Sequence, residues 1–176
     1  MSDKLLTPDQ LSQLLNTATE AALSSAVPIQ AYYAKQHLEV RQKSDGSPVT
    51  LADQEAEALI CDHLLSHSVV GPLDILGEEG GLQGRGTRWR WTVDPIDGTR
   101  SFVHGIPLFG TLISLYDTKD EIPLLGVIHL PMLGLAFSGA KGQGARGQGK
   151  VLRVAQDGPI DSAIIAAWDI AQCSSA

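Results

Sequence analysis

The hydrophobic period of this sequence changes partway along the chain, and the change limits the folds open to it. Through Leu64 the apolar side chains recur three and four apart: Leu11, Leu14, Leu15, Ala18, Ala22 and Val27, then Ala52, Ala56, Leu59, Ile60 and Leu64. That spacing lays an apolar stripe along a helix. Beyond it the period falls to two. Trp89, Trp91 and Val93 alternate with Arg88, Arg90 and Thr92, which predicts a strand with one buried face. Helices first and strands afterwards point to an α+β domain, or a layered α/β one.

Local signals place the elements. Thr7-Pro8-Asp9-Gln10 starts a helix, with Thr7 as cap, Pro8 in the first turn and Gln10 closing a capping box. The helix is expected to run to about Gln36 with a kink at Pro28. Residues 40–43 read as a short strand, residues 44–48 as a turn, and a second helix starts at Thr50. Residues 74–76 and 89–93 read as strands. Residues 109–116 and 124–130 read as a hairpin joined by Thr118-Lys119-Asp120-Glu121. Residues 135–138 and 151–154 flank a glycine-rich segment, and 164–168 looks like a further strand start.

A net charge of −7 excludes the basic footprint that nucleic acid requires. No apolar run approaches the roughly 18 residues of a membrane span, and the first residues carry no secretory pattern. A cytoplasmic location is expected. Cys61 and Cys173 have no metal-ligand spacing and read as reduced thiols.

Carboxylates gather at the ends of predicted elements: Asp53 at a helix start, Glu78 and Glu79 in Gly77-Glu78-Glu79-Gly80, Asp94 and Asp97 just beyond the apolar strand. Strand ends are where α/β-type folds place ligands. Oxygen donors without neighbouring His or Cys suit Mg²⁺, or Mn²⁺, better than zinc. In Asp94-Pro95-Ile96-Asp97-Gly98-Thr99, Pro95 stiffens the turn so that both aspartates and the Ile96 carbonyl face one small volume. Gly98 permits close approach of an anion, and a helix starting near Thr99 would offer it N–H groups. Paired divalent ions there would neutralise a phosphoryl group and acidify a water for in-line attack. Taken alone, Asp-x-x-Asp-Gly is more often a solvated turn. An EF-hand is excluded, because Gly105 stands where the last glutamate ligand belongs. Gly142-Gln143-Gly144-Ala145-Arg146-Gly147 lacks the following helix of a dinucleotide site and reads as a hairpin. His63 and His67 lack the glutamate of a zinc helix and read as a solvated helix end.

Three motifs in order change the weighing. Asp45-Gly46-Ser47-Pro48-Val49-Thr50-x-Ala52-Asp53, Gly77-Glu78-Glu79, and Asp94-Pro95-Ile96-Asp97-Gly98-Thr99 followed by Phe102 resemble the motif set of the inositol monophosphatase-like family of metal-dependent phosphomonoesterases. The resemblance runs from the first helix to about Val154. It implies the layered sugar-phosphatase fold and Mg²⁺-dependent hydrolysis of a small phosphorylated metabolite. Glu78, Asp94, the Ile96 carbonyl and Asp97 match metal ligands; Gly98, Thr99 and Asp97 match positions at the substrate phosphate. Asp53 and Thr99 match the pair that activates water, with Glu78 beside them, and Lys43 matches a basic residue near the metal loop. Arg100-Ser101-Phe102 and the segment from Gly105 to Ile113 are more similar to the histidinol-phosphatase branch. Histidinol phosphate is therefore the expected substrate, with inositol monophosphate second.

Family members continue into a second domain with a Trp-Asp-x-Ala-Ala motif. Residues 1–155 are expected to form the N-terminal metal-binding domain, and 156–176 the start of an incomplete second one. Trp168-Asp169-Ile170-Ala171 resembles that motif superficially but stands too near Asp97. A homodimer is expected. The competing reading is a catalytically inactive metal- or partner-binding domain, whose open sheet would favour association with another chain.

Overall fold

The computed structural model describes residues 5–35, 40–42, 48–155, 158, 159 and 161. Lys43, most of the predicted turn, Trp168, Asp169 and Cys173 lie outside the described residues, as does most of the expected second domain.

Thr7 caps α1 (Pro8–Ser24) as its sequence predicts. Its hydroxyl accepts from the Gln10 amide at 3.2 Å, and the Gln10 side chain accepts from the Thr7 amide at 3.0 Å. The helix does not continue to Gln36. It stops at Ser24, and α2 (Ala26–Tyr33) begins beyond Ser25. Pro28 is the physical cause, although the break falls before it. A proline has no N–H for the carbonyl four residues back, and its ring crowds that oxygen. Pro28 itself sits comfortably in the first turn of α2.

β1 (Val40–Gln42) and β2 (Pro48–Thr50) form an antiparallel ribbon. Thr50 then caps α3 (Leu51–Ser66). The face that α3 buries is wider and more polar than the apolar spacing implies. Leu59 is 38% exposed, whereas Asp53 and Glu57 are 0% and 4% exposed beside Ala52, Ala56, Ile60 and Leu64.

The other strands are β3 (Asp74–Gly77), β4 (Gly81–Gln83), β5 (Trp89–Asp97), β6 (Gly110–Asp117), β7 (Ile122–Leu130), β8 (Leu135–Ala140), β9 (Gly144–Gly147) and β10 (Lys150–Val151). They make one sheet in the order 10-9-8-7-6-5-3-4, antiparallel throughout except where β3 runs beside β5. Residues 118–121 form the expected hairpin connection, and the glycine-rich segment folds as the β9–β10 hairpin. β4 was not foreseen.

α1 lies over β7 and β8, and α3 over β5, all on one face. Leu14, Ala18, Ile60, Leu64, Trp91, Ile113 and Val127 form the core between helices and sheet. Trp91 is fully buried, and burial of a Trp side chain contributes about 4–6 kcal/mol. β5 is therefore fixed inside the sheet, between β3 and β6. A smaller core of Ile29, Ala52, Ala56, Ile96, Phe102 and Phe109 lies beneath its C-terminal end. There Phe102 and Phe109 meet edge-to-face at 5.1 Å, and α4 (Thr99–Val103) leads toward β6. The opposite sheet face carries an apolar cavity of about 750 Å³, lined by Leu76, Leu112, Ile128 and Phe137, with Glu78 and Asp94 also on its wall.

Candidate active site

The last residues of β5 are irregular in a way that serves the site. Asp94 pairs with Leu112 and Asp97 with Gly110, so three steps along β5 match two along β6. One extra residue reverses the strand alternation and returns Asp97 to the side occupied by Asp94. Pro95 and Ile96 between them are buried. The Pro95 carbonyl accepts from the Thr111 hydroxyl at 2.9 Å, and the Ile96 side chain fills the smaller core. The aspartates are thus held by the packing of the residues between them. Asp94 is half-buried and Asp97 exposed.

Gly98 follows with φ +90°, a conformation that only glycine adopts without strain. It turns the chain into α4, whose first residue is Thr99 as expected. The Thr99 hydroxyl donates to the Ile96 carbonyl at 3.1 Å. One lone pair of that oxygen remains for a further partner.

Glu78 arrives from the neighbouring strand. Its amide donates to the Val93 carbonyl at 3.0 Å, extending the parallel β3–β5 register by one residue and setting Glu78 beside Asp94. The Glu78 and Asp94 side chains share a hydrogen bond. Burial first, then that bond and the charges of Glu78 and Asp97, push the Asp94 carboxyl up to about 8. Crowded carboxylates with a protonated member mark a volume where a cation would be favoured.

Asp53 stands in the first turn of α3, completely buried. Its Oδ2 accepts from the Thr50 amide at 2.8 Å and from the Thr50 hydroxyl at 2.7 Å. Burial raises its carboxyl above the ordinary range despite these bonds, and the charge of Glu78 adds to the rise. Its Oδ1 is buried with no hydrogen-bond partner among the described residues. An orphaned buried acceptor calls for a ligand or a water.

Among the described residues, no three His, Cys, Asp or Glu side chains already converge as a metal cluster. What converges is the Glu78–Asp94 pair, with Asp97 and Asp53 within electrostatic reach of one or the other. The donor set still fits a divalent cation. It consists of the Glu78, Asp94 and Asp97 carboxylates and the Ile96 carbonyl, all hard oxygens, and the orphaned Asp53 Oδ1 is left for a water. Sequence reasoning missed Glu57. The signal was present, because Asp53 and Glu57 stand four apart and share one helical face.

Comparison with known proteins gives the class. The Inositol monophosphatase family matches residues 10–171. A histidinol-phosphatase of Chlorobaculum parvum is 39% identical over 150 residues, covering 85% of this chain and 54% of its own length. An inositol-1-monophosphatase of Mesorhizobium japonicum is 36% identical over 145 residues, covering 82% and 53%. The crystal structure of extragenic suppressor protein suhB from Bartonella henselae superposes with a TM-score of 0.73 at 30% identity, covering 81% of this chain and 54% of that one. This chain belongs to the inositol monophosphatase family. It spans about half the length of the curated relatives it matches. No helix among the described residues is long and apolar enough to cross a membrane.

Proposed function

We propose that this chain carries the metal and water-activating side of a Mg²⁺-dependent phosphomonoesterase, with Mn²⁺ as an alternative ion. The observation that supports it most is the meeting of Glu78 and Asp94, with the buried, half-satisfied carboxylate of Asp53 within electrostatic reach of Glu78. Glu78, Asp94, the Ile96 carbonyl and Asp97 would hold the ion. Bound there, it would supply charge neutralisation for a phosphoryl group.

The remaining work falls to groups of the chain itself. Asp53 Oδ2 is committed to Thr50, so Oδ1 is the atom that takes a proton from the attacking water. Burial makes that carboxylate more basic than usual, which moves a general base toward its working range. The Thr99 hydroxyl spends its hydrogen on the Ile96 carbonyl, which leaves its oxygen lone pairs to accept from the same water. Gly98, lacking a side chain, lets the phosphate approach the backbone at the start of α4.

The substrate is a small phosphorylated metabolite. Histidinol phosphate is our first assignment, supported by Arg100-Ser101-Phe102 and by the relative of that name. Inositol monophosphate is the second, and the cytoplasm is the place where we expect the reaction.

Phosphate release from each substrate with excess Mg²⁺, for the native protein and for Asp53→Asn, tests the reading. Loss of the base lowers turnover by about 10²–10⁴-fold. The Mg²⁺ concentration for half-maximal thermal stabilisation changes little. A variant with near-normal turnover removes Asp53 from the mechanism.

A further inference from the structure

The buried side of α3 carries a second carboxylate, and its partners lie in the loop that bears Glu78. Glu57 is 4% exposed. Its Oε2 accepts from the Glu79 amide at 2.8 Å, and its Oε1 from the Gly80 amide at 2.7 Å. The Glu78 amide just before them is taken by Val93. Three successive N–H groups are thus fixed, one by β5 and two by α3, and Glu78 sits at the junction.

Gly77 shows how closely this contact is fitted. A Cβ on Gly77 would come within 2.4 Å of Glu57 Oε1, and one on Gly80 within 2.9 Å. Both glycines leave room for the Glu57 carboxylate to reach the loop backbone. A glutamate reaching two consecutive amides forms short, charge-assisted bonds that fix direction as well as distance. Asp53 lies one helical turn before Glu57 on the same buried face. One rigid helix therefore sets both the carboxylate that addresses the water and the loop that presents Glu78.

We propose that Glu57 is a positioning residue: it clamps the Gly77–Gly80 loop to α3 and holds Glu78 in register with Asp94 and Asp53 for cation binding. The inference rests on the reading of Glu78 as a metal ligand. Groups that orient ligands from behind typically change metal affinity by about 10–100-fold when altered. Glu57→Gln keeps the size of the side chain but turns an amide N–H₂ toward one of the two backbone donors. Gly77→Ala disturbs the same contact from the loop side and leaves Glu57 chemically intact.

Mn²⁺ binding by calorimetry, together with amide hydrogen exchange, tests the clamp on the native protein and on each variant. In the native protein the Glu79 and Gly80 amides exchange slowly, although Gly80 is exposed; exchange at the rate of an unstructured loop overturns the clamp without any variant. Glu57→Gln loses that protection, and its Mn²⁺ affinity falls about 10–100-fold. Gly77→Ala shows a similar loss, and the double variant is no worse than the single ones, because both break one contact. Native affinity in Glu57→Gln overturns the positioning role alone. A native protein that binds no Mn²⁺ overturns the metal reading, and the positioning role with it.

Discussion

Replacing Asp94 by asparagine separates the electrostatics of the acidic cluster from its packing. Burial, then the hydrogen bond and charge of Glu78 and the charge of Asp97, raise the folded-state value of Asp94 from 3.8 to about 8. Because the folded value lies above the unfolded one, protonated Asp94 stabilises the fold fully below the unfolded value. That contribution is lost as pH rises through the folded one. At about 1.4 kcal/mol for each tenfold change in proton affinity, the full gap would amount to about 5–6 kcal/mol. Asp94 is partly exposed, so solvent screening leaves about 2–3 kcal/mol. Without divalent metal, urea unfolding of the native protein should therefore lose that much, relative to Asp94→Asn, between about pH 4 and pH 8. The variant retains an oxygen for the Ile96 amide, which now bonds Asp94 Oδ1 at 3.1 Å. Added Mg²⁺ should restore the native protein at the alkaline end, by about 2.7 kcal/mol at a hundredfold excess over its dissociation constant. The variant should gain much less. Equal pH slopes in the two proteins, or an equal gain from Mg²⁺, would refute the argument that like charges at this point create the cation site.

Two further outcomes concern the frame around the site. Burial pushes the Asp74 carboxyl up, but the amides of Arg85, Thr87 and Gly86 and the Thr87 hydroxyl outweigh it and hold it below the ordinary range. Asp74→Asn presents an N–H₂ group to such donors and should destabilise by about 2–4 kcal/mol in urea at neutral pH. With a depressed folded value, the native advantage exists above the unfolded value and vanishes as pH falls through the folded one; a deficit unchanged in strong acid would contradict this. Gly98→Ala places a side chain at φ +90°, 3.4 Å from the Leu108 carbonyl, and should lower stability by about 1–2 kcal/mol. A thermal midpoint equal to the native one would show that the turn before α4 relaxes freely.

The parts of this fold that were legible in the sequence are those whose physics is local. Thr7 and Gln10 cap α1 across three residues, so their spacing alone announces them, whereas the reciprocal bonds of Thr50 and Asp53 at the start of α3 appear only in the structure. The alternation around Trp91 is equally local, and β5 appeared where expected. The pattern predicts a kink at Pro28, but the helix breaks at Ser25, because the bond that proline deletes belongs to a carbonyl four residues earlier. The β5 bulge was hidden because its register depends on β6.

Glu57 shows the limit most clearly. On an apolar scale it interrupts the α3 stripe, so periodicity assigns Leu59 to the core in its place. What brings Glu57 inside is a pair of amides 22 and 23 residues away, in a loop whose two glycines leave space for a carboxylate. No propensity or period encodes that pairing. It becomes readable only when the helix is asked a chemical question: what satisfies a carboxylate one turn beyond a capping aspartate that is itself buried? Buried charge must find donors. Gly77 and Gly80, flanking the two glutamates, offer backbone N–H groups without obstruction. The acidic motif and the helix that supports it therefore constrain each other, and a change on either side should be felt at Glu78.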